Sequence, residues 1–276
     1  RAITIRDLLT HTAGIDYGGS FGNRNGLDPW ASAGIQGWYF AHRTEPILDT
    51  VKKMAGLPHA AQPGERFVYG YNTDILGALV EVVSGQSLEK FLETRLFTPL
   101  SMSDTHFYLP KNKRQRLATV YGLKDGKLSR APDESTMTGQ GGYVDGPRIS
   151  FSGGAGLLST AADYLKFLTM MSNGGTVKGQ KILSRKTVEL MTIDHLGEIP
   201  LSPGSGFGLG FRVLKDLGRA GVPGSIGAYS WGGAYHTTYW VDPSEQLVVT
   251  YMTQVIPAPG LQDHAKLSTL VYQHLE

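Results

Sequence analysis

Two short patterns in this sequence pair a serine with the groups that could make it a nucleophile. Gly18-Gly19-Ser20-Phe21-Gly22 fits G-x-S-x-G, in which a strained turn between strand and helix exposes the serine. A helix pattern and a short polar loop precede it, and Asn23-Arg24-Asn25-Gly26 follows, which breaks helices, so the stretch reads as a glycine-rich loop. Ser87-Leu88-Glu89-Lys90 fits S-x-x-K, the nucleophile and base of Ser/Lys acyl enzymes. Ser87 stands at a helix N-cap, with Leu88 and Phe91 turned to a core and Lys90 to solvent, so the pair reads as structural. There is no cysteine, which removes thiol nucleophiles, disulfides and thiolate metal sites together. The 8 histidines show no H-x-H or H-E-x-x-H spacing, so neither a metal nor a cofactor is expected. His11 and His236 read as structural histidines, His236 within a strand.

The elements that must position any site are legible in outline. Thr4 can cap a short helix with Asp7 as its capping-box partner. A long irregular stretch runs from about Gly14 to Trp38. After Tyr69, a helix is expected with Ile75, Leu76, Leu79, Val82 and Val83 on its apolar face, stopped by Gly85. Ser87, Thr160 and Ser184 cap three further helices, and residues 111–155 read as loop with a few short strands. In the last quarter, Phe207–Lys215, Tyr229–Val241 and Gln246–Gln254 read as strands, the last two joined through Asp242-Pro243-Ser244-Glu245, before a helix over Leu261–Leu275. Helices first and then an antiparallel meander make an α+β arrangement. The expected division is a mostly helical region over 1–203, and strands with the C-terminal helix over 204–276.

Bulk properties narrow the function classes. The 276 residues suffice for a sizeable core. Hydrophobic residues at 41% and charged residues at 18% are ordinary for a soluble globular protein. A net charge of +2, with one short basic patch at Lys111–Arg116, argues against a nucleic-acid partner. No apolar run reaches the ~18–20 residues that span a bilayer. Gly, at 36 residues, clusters without a period, as turn punctuation rather than repeats.

Four segments together resemble the serine β-lactamase/penicillin-binding-protein-like superfamily, and its esterase branch, the family VIII carboxylesterases, best. They are Ile3–Gly14 with Leu8-Leu9-Thr10-His11-Thr12-Ala13-Gly14, Pro63–Tyr69 running into Asp74-Ile75-Leu76-Gly77, Ser152–Thr160, and Trp231-Gly232-Gly233-Ala234 followed by Asp242-Pro243. In order, they cover nearly the whole chain. The resemblance implies a β-lactamase/transpeptidase-like fold, an antiparallel sheet flanked by helices plus a mostly helical region. It implies a Ser-Lys-Tyr acyl-enzyme mechanism with Tyr69 as general base and the Ala234 backbone N–H in the oxyanion hole. Trp231, Gly232 and Gly233 would line the substrate.

This sequence departs from the family pattern at three places. Where the β-lactamases carry Y-x-N, Tyr71 stands two residues after Tyr69 and Asn72 comes one place late, so Tyr71 is counted with the substrate-binding residues. Trp231 replaces the basic or histidine residue of the third box, which favours a neutral or apolar acyl group over a β-lactam carboxylate. The family's S-x-x-K helix precedes the Leu-Leu-x-His-Thr segment by several dozen residues, so the nucleophile, its lysine and the first strands are expected ahead of Arg1, and this chain alone is expected to be inactive. The expected partner is a small-molecule ester or amide. A β-lactamase, a D-amino-acid peptidase, an acyltransferase and a non-catalytic scaffold remain alternatives.

Overall fold

The computed structural model describes residues 1–18 and 28–275. Residue contacts divide the chain into two compact units. One comprises 1–99, 103–117 and 132–159, and the other 100–102, 118–131 and 160–276. The boundary differs from the sequence-based division at 203, because segment 160–203 groups with the sheet.

In the first unit, Thr4 caps α1 (Ile5–Leu9), and both halves of the Thr4/Asp7 capping box form. Among its described residues, the irregular stretch contains a short helix, α2 (Pro29–Ser32), with Asp28 as N-cap and proline in its first turn. Helices α3 (Ile47–Met54), α4 (Asn72–Ser84) and α5 (Leu88–Leu92) follow. Gly85, at φ 67°, ends α4 as expected. The Ser87 hydroxyl accepts from the Lys90 N–H, so Ser87 is the N-cap of α5. Leu8, Ile15, Trp30, Ile35, Phe40, Ile47 and Tyr71 form the core.

The apolar face expected of α4 is corrected in part: Ile75 and Leu76 pack half-buried against the core, but Val82 and Val83 do not. Its buried residues are Asn72, Asp74, Gly77 and Ala78, whereas Val82 and Val83 are 60% and 79% exposed. Small side chains are inward because α4 meets another backbone. A Cβ on Gly77 would lie 3.0 Å from Gly153 Cα, and one on Gly153 would lie 2.3 Å from the Thr73 carbonyl oxygen. Hydropathy marks large aliphatics and is blind to a contact made by the absence of side chains.

In the second unit, a hairpin of β1 (Tyr121–Lys124) and β2 (Lys127–Arg130) precedes α6 (Ala161–Ser172), capped by Thr160. The two-residue strands β3 (Thr176–Val177) and β4 (Gln180–Lys181) lead to α7 (Arg185–Met191), capped by Ser184. Then come β5 (Ser205–Phe207), β6 (Arg212–Leu214), α8 (Leu217–Ala220), β7 (Tyr229–Gly232), β8 (Thr238–Asp242), β9 (Leu247–Tyr251) and α9 (Asp263–Tyr272). Strands β5 to β9 form one antiparallel sheet in chain order. Tyr164 of α6 packs edge-on against Tyr239 of β8, 5.2 Å between centroids, which explains why α6 belongs with the sheet. Two of the expected strands are hairpins. Phe207–Lys215 folds at Gly208–Gly210, and Tyr229–Val241 folds at residues 233–237. No described helix is long and apolar enough to cross a membrane.

Candidate active site

Tyr69 lies in the extended segment between the Pro63-Gly64 turn and α4. Its backbone has no sheet to hold it, so side chains and single hydrogen bonds do. The Val68 N–H donates to the His11 carbonyl at 2.7 Å. The buried Asn72 amide donates to the Ile15 carbonyl at 3.1 Å and to the Val68 carbonyl at 3.2 Å, and meets His11 Nδ1 at 3.1 Å. One amide thus ties the segment after α1, the residue before Tyr69 and the start of α4 together. The departure noted at Asn72 therefore has a structural role.

The Tyr69 ring is 42% exposed in surroundings that are otherwise buried. His11 lies 4.6 Å from it, tilted 45°, and Tyr17 meets it edge-on at 5.7 Å. Burial holds the His11 imidazole down at about 4, so the ring is neutral at pH 7. Burial pushes the Tyr17 phenol far up, helped by the neighbouring Tyr69 and Asp74 charges and by a hydrogen bond between the Tyr17 and Tyr69 side chains. Tyr17 is thus a neutral hydroxyl beside the Tyr69 oxygen. The sequence alone does not single it out, because it stands in the irregular stretch two residues past Ile15 with no motif to mark it.

Tyr71 is corrected from substrate-binding to core. It is 0% exposed, stacks on Trp30 at 5.4 Å, and donates its hydroxyl to the Gly37 carbonyl at 2.9 Å and the Tyr17 carbonyl at 3.2 Å. Tyr69 and Tyr71 are only two residues apart, yet the turn into α4 at Tyr71 rotates it inward.

Behind this segment, Asp74 is fully buried. It accepts from the Ser152 hydroxyl in a short bond and from the Gly154 N–H at 3.3 Å. Burial pushes its carboxyl up to about 7, against the opposing pull of Ser152 and Gly154. The Ser152-Gly153-Gly154 segment singled out in the sequence therefore serves as the wall on which α4 rests.

In the sheet unit, Trp231 and Gly232 end β7, opposite Tyr239 and Thr238. Gly233 and Ala234 are not on the strand, as expected, but in the turn that follows it. Trp231 packs edge-on against Phe207 at 5.2 Å. A Cβ on Gly233 would lie 2.2 Å from Thr237 Oγ1, so one there would turn the Thr237 side chain, and the Gly233 N–H donates to the Thr237 carbonyl at 2.9 Å. Ala234 is exposed, and no described residue accepts a hydrogen bond from its N–H. An unspent N–H on a turn braced by its neighbours is a suitable donor for a developing oxyanion.

Three other expectations have structural outcomes. Ser87 and Lys90 face away from any shared chemistry, because Lys90 Nζ pairs with Glu93 at 2.8 Å. Ser20 lies outside the described residues. His236 is in the turn, not a strand, and a cluster with metal-ligand donors does form there from His236, Asp263 and His264. The 27-residue separation of His236 and Asp263 hides it from a search by local spacing.

Comparison with known proteins identifies the family. The Beta-lactamase family matches residues 1–272. A lovastatin esterase of Penicillium rubens is 30% identical, over 94% of this chain and 66% of its own length. Esterase EstB of Burkholderia gladioli is 29% identical, over 91% of this chain and 64% of its own. An uncharacterised Mycobacterium tuberculosis protein is 35% identical, over 93% of this chain and 63% of its own. The chain thus spans about two thirds of the length of these relatives. Among solved structures, EstCE1, a hydrolase with promiscuous acyltransferase activity, superposes with a TM-score of 0.79 at 27% identity, covering 98% of this chain and 72% of its own. The simvastatin synthase LovD of Aspergillus terreus shares the fold at a TM-score of 0.73 and 24% identity, over all of this chain and 70% of its own. The fold is the β-lactamase/transpeptidase-like α+β fold.

Proposed function

Because the chain belongs to the beta-lactamase family, we propose that it is the greater part of a serine hydrolase that cleaves carboxylic esters through an acyl-enzyme. The observation that carries this reading is the exposed Tyr69 phenol, held by Asn72 and flanked by His11 and the neutral Tyr17 hydroxyl. Tyr69 takes the proton from the attacking serine hydroxyl as that oxygen bonds to the ester carbonyl carbon. A phenol titrates near ~10, so it serves as a base only where its anion is stabilised. The family's lysine supplies a cation, and Tyr17 adds a hydrogen bond to the phenolate. The Ala234 N–H receives the negative charge that develops on the carbonyl oxygen. The alkoxide leaves with the proton Tyr69 gathered, and water then repeats the sequence to release the acid.

Trp231, where a cation would bind a β-lactam carboxylate, favours a neutral or apolar acyl group. On the family's pattern we place the nucleophile outside residues 1–276; Ser87 is occupied as a helix cap and Lys90 is ion-paired, so that S-x-x-K pair is not an alternative. Acyl transfer to an alcohol is the second reading, supported by the likeness to EstCE1, whose hydrolase activity is accompanied by acyltransferase activity.

A fluorophosphonate probe tests the reading. Intact mass of residues 1–276 alone should show no adduct, and the full-length protein should show one. Peptide mapping should place it outside this chain. A stoichiometric adduct on Ser87, or no adduct on an ester-cleaving full-length protein, would overturn the assignment.

A further inference from the structure

We propose that His236, Asp263 and His264 bind a divalent ion of the zinc class, which ties the β7–β8 turn to the start of α9. One ring nitrogen of each histidine and one carboxylate oxygen of Asp263 lie within 4.8 Å of one another. All three residues are half-buried, the His236 side chain retaining 16% of its exposure and Asp263 32%. The inference does not depend on the hydrolase reading.

The arrangement is built rather than accidental in three respects. His236 takes a left-handed backbone at φ 64°, a conformation costly for a residue with a Cβ. A glycine would adopt it freely, so the imidazole is what the position retains. The two imidazoles are then stacked, 3.9 Å between centroids and 19° from parallel, and a turn of one ring about its Cβ–Cγ bond is what brings both in-plane lone pairs onto one ion. Finally, His264 and Asp263 are held from behind. His264 Nε2 lies 3.2 Å from the His236 carbonyl, and the Thr253 hydroxyl donates to that same oxygen. The Tyr251 hydroxyl hydrogen-bonds Asp263. Carbonyls and hydroxyls behind the ligands are the partners that orient ligating histidines and carboxylates in metal sites.

The donor set selects the ion. Two imidazoles and one carboxylate suit zinc, nickel or cobalt. Magnesium and calcium require oxygen cages, and thiolate-selected ions have no cysteine here. His236 Nε2 and Asp263 Oδ1 are hydrogen-bonded at 2.7 Å. Two donors on a tetrahedral zinc stand about 3.3 Å apart, so loading the ion replaces this proton and opens the pair by about 0.6 Å. Three protein ligands leave a fourth position for water. Gly233 and Ala234 share the turn with His236, whose N–H donates to the Gly233 carbonyl at 3.0 Å, so a bound ion would also brace the segment that bears the free Ala234 N–H.

The test is calorimetric titration of zinc chloride into untagged protein at pH 7.5, with wild type, His264→Gln and Asp263→Asn side by side. Wild type should bind one equivalent saturably, with a rise in Tm. Both variants should bind at least about tenfold more weakly while keeping the metal-free circular dichroism and Tm of wild type. Cobalt should give the visible absorption of a low-coordinate nitrogen/oxygen site in wild type and lose it in both variants. Absence of saturable binding, or equal binding by a folded variant, would overturn the proposal.

Discussion

The Tyr69 phenol and the His11 imidazole lie with centroids 4.6 Å apart, tilted by 45°. The phenol also hydrogen-bonds the Tyr17 side chain. Tyr69→Phe should keep the ring packing and remove the phenol oxygen. Ester hydrolysis by the full-length protein should fall by about 10²–10⁴-fold in kcat/KM, the usual range for a general base. Tm should stay within about 1 °C. A loss below tenfold would remove Tyr69 from the mechanism.

His11 makes stability depend on acid. Its folded pKa of about 4 lies below the ordinary 6.5. Unfolding therefore takes up a proton between those values, and the stability His11 contributes is complete above pH 6.5 and is lost as pH falls toward 4. The loss is at most about 3 kcal/mol. Asp74 works the other way over this range, so the fall is read against a variant: from pH 7.5 to pH 5, urea melts should show wild type losing stability relative to His11→Asn.

Asp74 acts in the opposite direction. Its folded pKa of about 7 lies above the ordinary 3.8, so its contribution is present at low pH and declines as pH rises through 7. Asp74→Asn should gain on wild type between pH 5 and pH 8, by at most about 3 kcal/mol. The comparison needs equilibrium unfolding of both proteins across that range. A gap that does not change with pH would mean the carboxyl stays ionised in the fold.

Tyr71→Phe separates core from substrate roles. The ring would still stack on Trp30, but the carbonyls of Gly37 and Tyr17 would lose their donor. Stability should drop by about 1–2 kcal/mol. KM for esters should not move, and a several-fold KM change at unchanged stability would restore Tyr71 to the substrate site.

The sequence discloses what is decided within a few residues. The hydroxyls of Thr4, Ser87, Thr160 and Ser184 each accept the backbone N–H three positions on, and each cap is legible from residue types and spacing alone. Tyr69 is legible too, but through its flanking motif rather than its surroundings. What escapes is set by distant partners. Tyr71 turns inward because Trp30 and Gly37 receive it, and the His236 cluster exists because α9 returns to the β7–β8 turn. The buried face of α4 escapes for another reason: its signal is two glycines, which carry no hydropathy to read.

Those two glycines also constrain how the sequence can vary. A side chain that crowds its neighbour is often rescued by shrinking that neighbour. A Cβ on Gly77 meets Leu88 and the Gly153 backbone, one on Gly153 meets the Thr73 carbonyl and the Gly77 backbone, and each glycine is already the smallest residue there is. No second-site change at either position can open room for the other. Homologous sequences that vary at one of them must therefore have shifted the backbone of α4 or its wall. The pair marks a place where the fold must move before the sequence can.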